Sequence, residues 1–255
     1  MINALPVFEV RLVTDPADLE AAQRLRYRVF VQELGADGPM VDHDAGIERD
    51  AFDPVFDHLV LIDRNLPQGA HVVGAYRLLR GDVARDLGRF YSEDEYDLAL
   101  LRASGRRLLE LGRSCLDPAY RGGTAMYHLW HALADYVTAH GIEILFGVAS
   151  FPGTDVRALA QPLSYLHHHH LAPPELRLRS RAYVPMDILP DAAIDRRRAM
   201  LETPALIKAY LRLGGCVGEG AYVDAAFGTT DVCLVMDTAR MNDKQKAIYT
   251  TAGRV

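Results

Sequence analysis

The sequence has few cysteines, no long apolar run and no excess of basic residues. Its three cysteines, Cys115, Cys216 and Cys233, include no Cys-x-x-Cys pair, which argues against a disulfide framework or a zinc site. No apolar run approaches the roughly 20 residues that span a bilayer, and the first residues lack the basic-then-apolar pattern of a secretion signal. The net charge of -6 argues against nucleic-acid binding. We therefore expect a globular, cytoplasmic protein.

The sequence also lacks the two common nucleotide-binding motifs, Gly-x-Gly-x-x-Gly and the loop ending in Gly-Lys-Ser/Thr. It does contain a glycine-rich turn at residues 120–125, between a predicted strand at 108–117 and a helix that is apolar at Ala125, Leu129 and Leu133. Such a turn directs unpaired backbone N–H groups of the helix start towards one point, where an anion can bind. The turn is a candidate phosphate site, and the alternative is a tight turn without a ligand.

Local patterns predict several elements of an α/β fold. Asp15 and Pro16 are typical of the N-cap and first residue of a helix, which we expect to end near Gly35. Residues 58–63 and 72–79 have the pattern of two strands, which we expect to form an antiparallel hairpin. After residue 155 we expect a helix that Pro162 kinks or divides.

No internal repeat and no linker between independent domains is visible. We therefore predict one domain over residues 1–255, with a core at about 7–170, an integral C-terminal extension at about 171–237 and a polar tail at 238–255.

Charged side chains concentrate in two early segments. Glu48, Asp50 and Asp53 lie close together in a polar loop before a predicted strand, and Arg26 and Phe30 lie on the first helix. Clustered carboxylates can bind an ammonium group or accept its proton. The alternative is that loop carboxylates are simply solvated.

Two later strands also carry charges. Arg77 lies within an apolar strand, where an unpaired charge is costly, so we expect a carboxylate partner. Glu110 and Arg113 flank Gly112 in the strand before the glycine-rich turn. A bulge at Gly112 would bring both side chains to one face and open the sheet. A structural ion pair is the alternative.

These motifs resemble those of known acyltransferases. Pro118, Arg121-Gly122-Gly123 and Ala125 are similar to the pyrophosphate loop of the GNAT acyltransferases, which binds coenzyme A or carrier-protein phosphopantetheine. The further motifs, which resemble the acyl-homoserine-lactone synthases, are Leu25-Arg26-x-x-x-Phe30, Glu48-x-Asp50-x-Phe52-Asp53, Arg77 and Glu110-x-x-Arg113. The tryptophan that usually follows the first helix of those synthases is replaced by Gly35-Ala36-Asp37.

Longer segments resemble the ornithine-lipid N-acyltransferases, also called hemolysin-like acyltransferases. They are residues 107–115, Tyr165-Leu166 with the following histidines, residues 207–214 and residues 227–231. The similarity extends from about Phe8 to Asp237.

The resemblance implies a GNAT-like α/β fold with a mixed, mostly antiparallel sheet that is flanked by helices and splayed at the acyl-donor strand. It also implies transfer of a 3-hydroxyacyl group from acyl carrier protein to the α-amine of ornithine, giving a lyso-ornithine lipid. No cofactor is expected besides the acyl donor, for which acyl-coenzyme A is the alternative.

The same resemblance implies roles for individual residues. Glu48 is the first candidate to accept the amine proton and Asp50 the second, and a backbone N–H near Ser114 or Cys115 would bind the oxyanion. The predicted catalytic residues are Glu48, Asp50, Arg77, Glu110 and Arg113; the substrate-binding residues are Arg26, Phe30, Asp53 and Ser114; and the phosphopantetheine-binding residues are Arg121, Gly122, Gly123, Thr124 and Ala125.

Exposed arginines are candidates for docking an acidic acyl carrier protein. The three predicted clusters are Arg177, Arg179 and Arg181 on one strand face, Arg196 to Arg198, and Arg102, Arg106 and Arg107. The second cluster could instead contact lipid headgroups at the inner face of the cytoplasmic membrane.

Four consecutive histidines, His167 to His170, suggest a metal site. Their side chains cannot all converge on one ion in a regular helix or strand, so we predict no metal and expect a polar helix end near the acyl channel.

Three other functions fit parts of the pattern. The acceptor could be another amino acid such as glutamine, with a signal synthase as a related possibility. A coenzyme A-dependent N-acetyltransferase would need a short acyl pocket, and a non-catalytic lipid-binding protein would not need the Glu48, Arg77 and Glu110 pattern.

Overall fold

A computed structural model describes residues 5–242 and residue 245, so most of the predicted tail at 238–255 lies outside the described residues. The strands are β1 Phe8–Leu12, β2 Val41–Asp42, β3 Ile47–Glu48, β4 Asp57–Asp63, β5 Val72–Arg80, β6 Tyr96–Asp97, β7 Leu108–Leu116, β8 Ile144–Pro152, β9 Arg179–Ser180, β10 Cys216–Val217, β11 Tyr222–Asp224 and β12 Thr229–Asp237. The α-helices are α1 Pro16–Arg26, α2 Gly81–Leu87, α3 Ala99–Ala103, α4 Ala125–Ala139, α5 Ala160–His170, α6 Arg196–Glu202 and α7 Ala205–Arg212. A π-helical segment, Tyr27–Glu33, continues α1, and 3-10 turns lie at Tyr91–Asp94, Pro118–Tyr120, Pro174–Leu176, Asp191–Ala193 and Thr238–Arg240.

The described chain forms two compact units. The first contains residues 5–79 and Leu111–Gly141, and the second contains Arg80–Glu110 and residues 142–242 with residue 245. Strand β7 begins in the second unit and ends in the first. The predicted division into core, extension and tail stays a prediction. Among the described residues, no helix is both long and apolar enough to cross a membrane.

In the first unit, β4 pairs antiparallel with both β1 and β5, which confirms the predicted hairpin. Helix α1 packs on one face of these strands, where Leu25 contributes to a buried cluster with Val60 and Ile62 of β4. Because alternate strand residues face opposite sides, Leu61 points to the other face. There it lies near Gly74 and Leu129 of α4. The strands of this unit therefore have a helix on each face.

The start of α1 is as predicted, whereas its end differs. The Asp15 carboxylate accepts a hydrogen bond from the Ala17 N–H at 2.9 Å, and Pro16 is the first helical residue. The α-helical hydrogen bonding ends at Arg26, and a π-helical segment continues to Glu33. Gly35 follows with φ +77°, a left-handed conformation that favours glycine. π-helical segments are frequent at functional sites.

In the second unit, β12 pairs antiparallel with β8 over nine residue pairs and also with β10 and β11. The first residues of β7, Leu108 to Glu110, pair in parallel with Ile144 to Phe146 of β8. The other strand pairs with a described register are antiparallel, including two separate two-stranded sheets, β2 with β3 and β6 with β9. The predicted mixed, mostly antiparallel sheet flanked by helices is confirmed.

Two local predictions were wrong. Helix α5 runs without interruption from Ala160 to His170, so Pro162 lies in its first turn, where the missing N–H removes no helical bond and does not divide the helix. The stretch with Arg177, Arg179 and Arg181 is mostly irregular, since β9 contains only Arg179 and Ser180. Alternation of arginines over five residues did not distinguish a strand from an extended loop.

Candidate active site

A buried set of ion pairs lies in the first unit, where the end of α1 meets the loop that follows β3. Arg26, the last residue of α1, donates from Nε to Oε2 of Glu48 and from Nη1 to Oδ1 of Asp53 at 2.7 Å. All three side chains are buried, with exposed fractions of 4% or less. Buried charges are tolerated when they are paired and hydrogen-bonded. Buried ion pairs therefore join the first helix to the acidic segment.

Arg77 extends the set from β5. Its Nη1 donates to Oδ1 of Asp50 at 2.7 Å and to Oδ1 of Asp53 at 2.8 Å. The guanidinium also lies 4.4 Å from the centre of the Phe56 ring, a distance that permits a cation–π interaction. The carboxylate partner expected for an arginine in an apolar strand is confirmed.

Arg113 completes the set from β7 and has an unusual backbone conformation. Its φ of +50° lies in the left-handed region. This conformation costs a residue with a side chain about 1–2 kcal/mol. The side chain donates from Nε to Oε1 of Glu48 at 3.1 Å, and Nη2 lies 3.5 Å from Oδ2 of Asp50. The bulge predicted at Gly112 stays a prediction, and the unusual backbone angle lies at the next residue. We call these six residues the ion-pair lattice: Arg26, Glu48, Asp50, Asp53, Arg77 and Arg113.

The carboxylates of the lattice differ in access. The side chain of Glu48 is 0% exposed and that of Asp53 is 4% exposed, whereas that of Asp50 is 15% exposed. Burial alone would raise the pKa of Asp53, but the adjacent Arg26 and Arg77 guanidiniums outweigh it and hold that pKa well below its usual range. Asp53 is thus a permanent counter-ion, and Asp50 is the most accessible of the three.

His58 supports the lattice from β4. Its Nε2 lies 2.9 Å from the backbone oxygen of Asp53. Burial lowers the pKa of His58, which favours a neutral ring that donates this hydrogen bond. His58 is therefore a buried, hydrogen-bonded residue of the first unit.

Three of the predicted catalytic and substrate-binding residues lie outside the lattice as it is described. Glu110 belongs to the second unit, where it accepts bonds from the N–H of Tyr91 at 2.8 Å, the N–H of Ser92 at 2.6 Å and the Ser92 hydroxyl. Phe30 packs at the border of the buried α1 cluster. Ser114 follows Arg113 and is half-buried. Their catalytic or substrate-binding roles stay predictions.

The glycine-rich turn has the geometry of an anion-binding loop. Gly122 has φ +76°, and residues 121–124 are exposed before α4 begins at Ala125. Among the described hydrogen bonds, none uses the backbone N–H of Gly122, Gly123 or Thr124. Unpaired N–H groups at a helix start favour a bound anion. The turn therefore offers donors for an anion, and the predicted phosphopantetheine-binding roles of Gly122, Gly123, Thr124 and Ala125 stay predictions.

Arg121 is already paired. It donates from Nη1 and Nη2 to the two carboxylate oxygens of Glu33 at 2.5 and 2.7 Å, and from Nε and Nη2 to the Leu116 carbonyl at 3.2 and 3.0 Å. Glu33 is the last residue of the π-helical segment. Helix α1 and the π-helical segment therefore form one continuous helical stretch, in which Arg26 contacts the lattice and Glu33 contacts Arg121 of the loop. The predicted phosphate-binding role of Arg121 stays a prediction.

Sequence reasoning missed several supporting residues. Gln23 lies one turn before Arg26 and donates from Nε2 to Oδ2 of Asp53 at 2.9 Å, and its spacing of three residues from Arg26 was a usable signal. The Tyr120 hydroxyl donates to Asp63 at 2.8 Å, which ties the loop to β4. Burial, with the Asp63 carboxylate, raises the pKa of Tyr120 to about 12. No local sequence pattern predicts the hydrogen bond between Tyr120 and Asp63.

The histidine run ends α5 and uses separate partners. Nε2 of His168 lies 3.0 Å from the Leu189 carbonyl, and Nε2 of His169 lies 2.8 Å from the Asp191 carboxylate. Carboxylate oxygens that could ligate a metal do come together elsewhere in the second unit, within 4.8 Å of one another. They belong to Glu95, Asp224 and Asp231.

Comparisons with known proteins agree with this geometry. Residues 25–131 match the family model described as acetyltransferase (GNAT) domain, a span that contains the lattice and the loop. The fold resembles a solved coenzyme A-dependent acyl-homoserine lactone synthase, BjaI, with a TM-score of 0.54 at 14% identity, covering 97% of this chain and 90% of that one.

Two curated relatives match along nearly the whole chain, and both are named L-ornithine N(alpha)-acyltransferase. The Rhodobacter capsulatus protein is 62% identical over 245 residues, which is 95% of each chain. The Brucella abortus protein is 41% identical over 255 residues, covering 98% of this chain and 91% of that one. At this identity and coverage, the chain belongs to the family of L-ornithine N(alpha)-acyltransferases.

Proposed function

We propose that this protein transfers a 3-hydroxyacyl group from acyl carrier protein to the α-amine of ornithine, giving a lyso-ornithine lipid. The observation that carries the proposal is the ion-pair lattice in the same unit as an open phosphate loop, within a chain 62% identical to a named L-ornithine N(alpha)-acyltransferase. The lattice offers a carboxylate for an amine, and the loop offers N–H donors for the phosphate of the donor's pantetheine arm.

The reaction joins the amine nitrogen to the thioester carbonyl carbon. A neutral amine attacks that carbon, the carbonyl oxygen becomes an oxyanion, and the carbon–sulfur bond then breaks. The amine loses one proton and the departing thiolate gains one, so the products are an amide and a free thiol. The protein must supply a base that accepts the amine proton and donors that bind the oxyanion. The accessible carboxylate edge of the lattice supports the first requirement.

Carrier-protein docking and cellular location are further parts of the proposal. An acyl carrier protein is acidic, and the best-suited arginines are those without an internal partner. Arg102 and Arg179 form ion pairs with Glu93 and Glu219. Arg196 and Arg197 are exposed, and no described ion pair involves them. We propose that these two residues contact the carrier protein in the cytoplasm or, when the lipid product leaves, the headgroups of the inner membrane. No cofactor takes part.

The test is a product analysis with the purified full chain. The protein is mixed with 3-hydroxyacyl carrier protein, the matching acyl-coenzyme A or acetyl-coenzyme A, and single amino acids, and the products are identified by mass spectrometry. We expect an N-acylated ornithine from the carrier-protein donor. Turnover of acetyl-coenzyme A alone would replace this function with a generic acetyltransferase, and acylation of glutamine instead of ornithine would change the acceptor. No product from any donor would contradict an enzymatic function.

A further inference from the structure

We propose that Asp50 is the group that accepts the amine proton, and that Glu48, the first candidate from the sequence, is a positioning residue. This inference rests on the proposed function, because it assigns the proton transfer within that reaction. It follows from which carboxylate oxygens of the lattice a substrate can reach.

Glu48 is sealed inside the lattice. Its side chain is 0% exposed, and each of its oxygens has an arginine partner. Oε2 accepts from Nε of Arg26, and Oε1 accepts from Nε of Arg113 at 3.1 Å. A group that accepts a proton directly must lie within hydrogen-bond distance of it. An amine could reach Glu48 only by displacing an arginine, so Glu48 instead fixes the positions of two guanidiniums.

Asp53 is unsuitable for a different reason. Oδ1 accepts from both Arg26 and Arg77, and Oδ2 accepts from Gln23 at 2.9 Å. Burial raises the pKa of Asp53, but the two guanidiniums lower it further, so that it stays well below its usual range. A carboxylate held in the ionised form accepts a proton poorly.

Asp50 has one oxygen that is only loosely held. Oδ1 accepts from Arg77 at 2.7 Å and from the Phe52 N–H at 2.9 Å. The described partner of Oδ2 is Arg113 Nη2 at 3.5 Å, the outer limit of a hydrogen bond. The side chain is 15% exposed and that of Arg113 is 10% exposed. The lattice therefore fixes one oxygen of Asp50 and leaves the other available.

The proton balance is simple for this assignment. The attacking nitrogen gives one proton to Oδ2 of Asp50 as the carbon–nitrogen bond forms. When the carbon–sulfur bond breaks, the protonated Asp50 gives that proton to the thiolate and is regenerated. The charged and titratable groups around Asp50 are the other lattice members, Arg26, Glu48, Asp53, Arg77 and Arg113, together with His58 behind Asp53.

Rescue by a small carboxylate distinguishes Asp50 from Glu48. Asp50→Ala and Glu48→Ala are compared with the wild type in the ornithine acylation assay, with and without added formate. We expect Asp50→Ala to lose about 10²–10⁴-fold in kcat and to recover part of it as formate rises, because the vacated position is open to solvent. Glu48→Ala should not recover, because its position is sealed. Asp82→Asn, at an exposed aspartate of α2, is the control for nonspecific effects of substitution and formate.

The near-isosteric variant Asp50→Asn guards against misfolding and is checked by its melting temperature. We expect its kcat to fall about 10²–10⁴-fold as well, because the asparagine amide cannot accept the amine proton. Unchanged kcat in Asp50→Asn, rescue of Glu48→Ala instead of Asp50→Ala, or loss in both Asp50 variants without rescue of Asp50→Ala by formate would each overturn the inference. If the wild type itself acylates no ornithine, the proposed function fails first.

Discussion

Replacing Asp53 with Asn tests whether the ion-pair lattice stabilises the fold. Asp53 is 4% exposed and accepts bonds from Arg26 at 2.7 Å, Arg77 at 2.8 Å and Gln23 at 2.9 Å. The amide keeps the size of the side chain, but it removes the negative charge. Two buried guanidiniums then lose a shared counter-ion.

The expected loss is large for one substitution. Removing one partner of a buried ion pair costs about 3–5 kcal/mol. Since domains of about 150–250 residues lose about 2–4 °C for each kcal/mol, the melting temperature should fall by roughly 6–20 °C. A loss of this size is a large share of the roughly 5–15 kcal/mol that keeps a typical domain folded.

Thermal melts followed by circular dichroism, with urea unfolding as a second method, measure this difference. The sign of its pH dependence follows from the pKa of Asp53, which is lower in the folded state than in the unfolded chain. A depressed folded pKa stabilises the protein fully above the unfolded pKa of about 3.9. That contribution is lost as the pH falls from there through the folded pKa. The gap between wild type and Asp53→Asn should therefore be full at neutral pH and shrink in strong acid.

The matched control is Asp82→Asn, the same chemical change at an exposed aspartate with a surface partner, Arg80. It should alter the free energy of unfolding by about 0.5 kcal/mol or less. If Asp53→Asn lowers the free energy of unfolding by no more than this control does at neutral pH, the lattice does not stabilise the fold in the way that its contacts imply.

Three further predictions concern packing, thiol chemistry and the loop. Gly74→Ala should lower the free energy of unfolding by about 1–3 kcal/mol, because the new Cβ would lie 2.7 Å from Leu116 and 3.0 Å from Leu129. Urea unfolding measures this loss. An unchanged free energy of unfolding would mean that the two leucine side chains move aside without cost. Burial raises the pKa of Cys115 to about 12, so a thiol reagent at neutral pH should label it only after unfolding, and rapid labelling of the native protein would contradict this. Gly122→Ala should raise the KM for the carrier-protein donor, because φ +76° costs a residue with a side chain about 1–2 kcal/mol; an unchanged KM would exclude the loop from donor binding.

The parts of the fold and site that the sequence predicted depend on short-range rules. Asp15 and Pro16 define the start of α1 through local capping. A charge in an apolar strand requires a partner, so Arg77 indicated the lattice before any contact was known. These conclusions need no knowledge of distant residues.

The parts that the sequence did not predict depend on distant contacts. Glu33 and Arg121 are 88 residues apart, and nothing near either one marks the other as its partner. The sequence placed Glu48 first as the base because residue type and spacing do not report burial. Only the position of β7, with Arg113 on the second oxygen of Glu48, shows that this carboxylate is enclosed.

The charge balance of the lattice bears on the order of the reaction. Three guanidiniums and three carboxylates make the six described groups neutral together when all are ionised. If Asp50 accepts the amine proton, these groups carry one net positive charge, which the oxyanion compensates only until the carbon–sulfur bond breaks; an uncompensated buried charge is costly. That cost favours passing the proton onward, and the departing thiolate needs one. Proton transfer to Asp50 should therefore be coupled to cleavage of the carbon–sulfur bond, so Asp50→Asn should slow thiol release and amide formation equally.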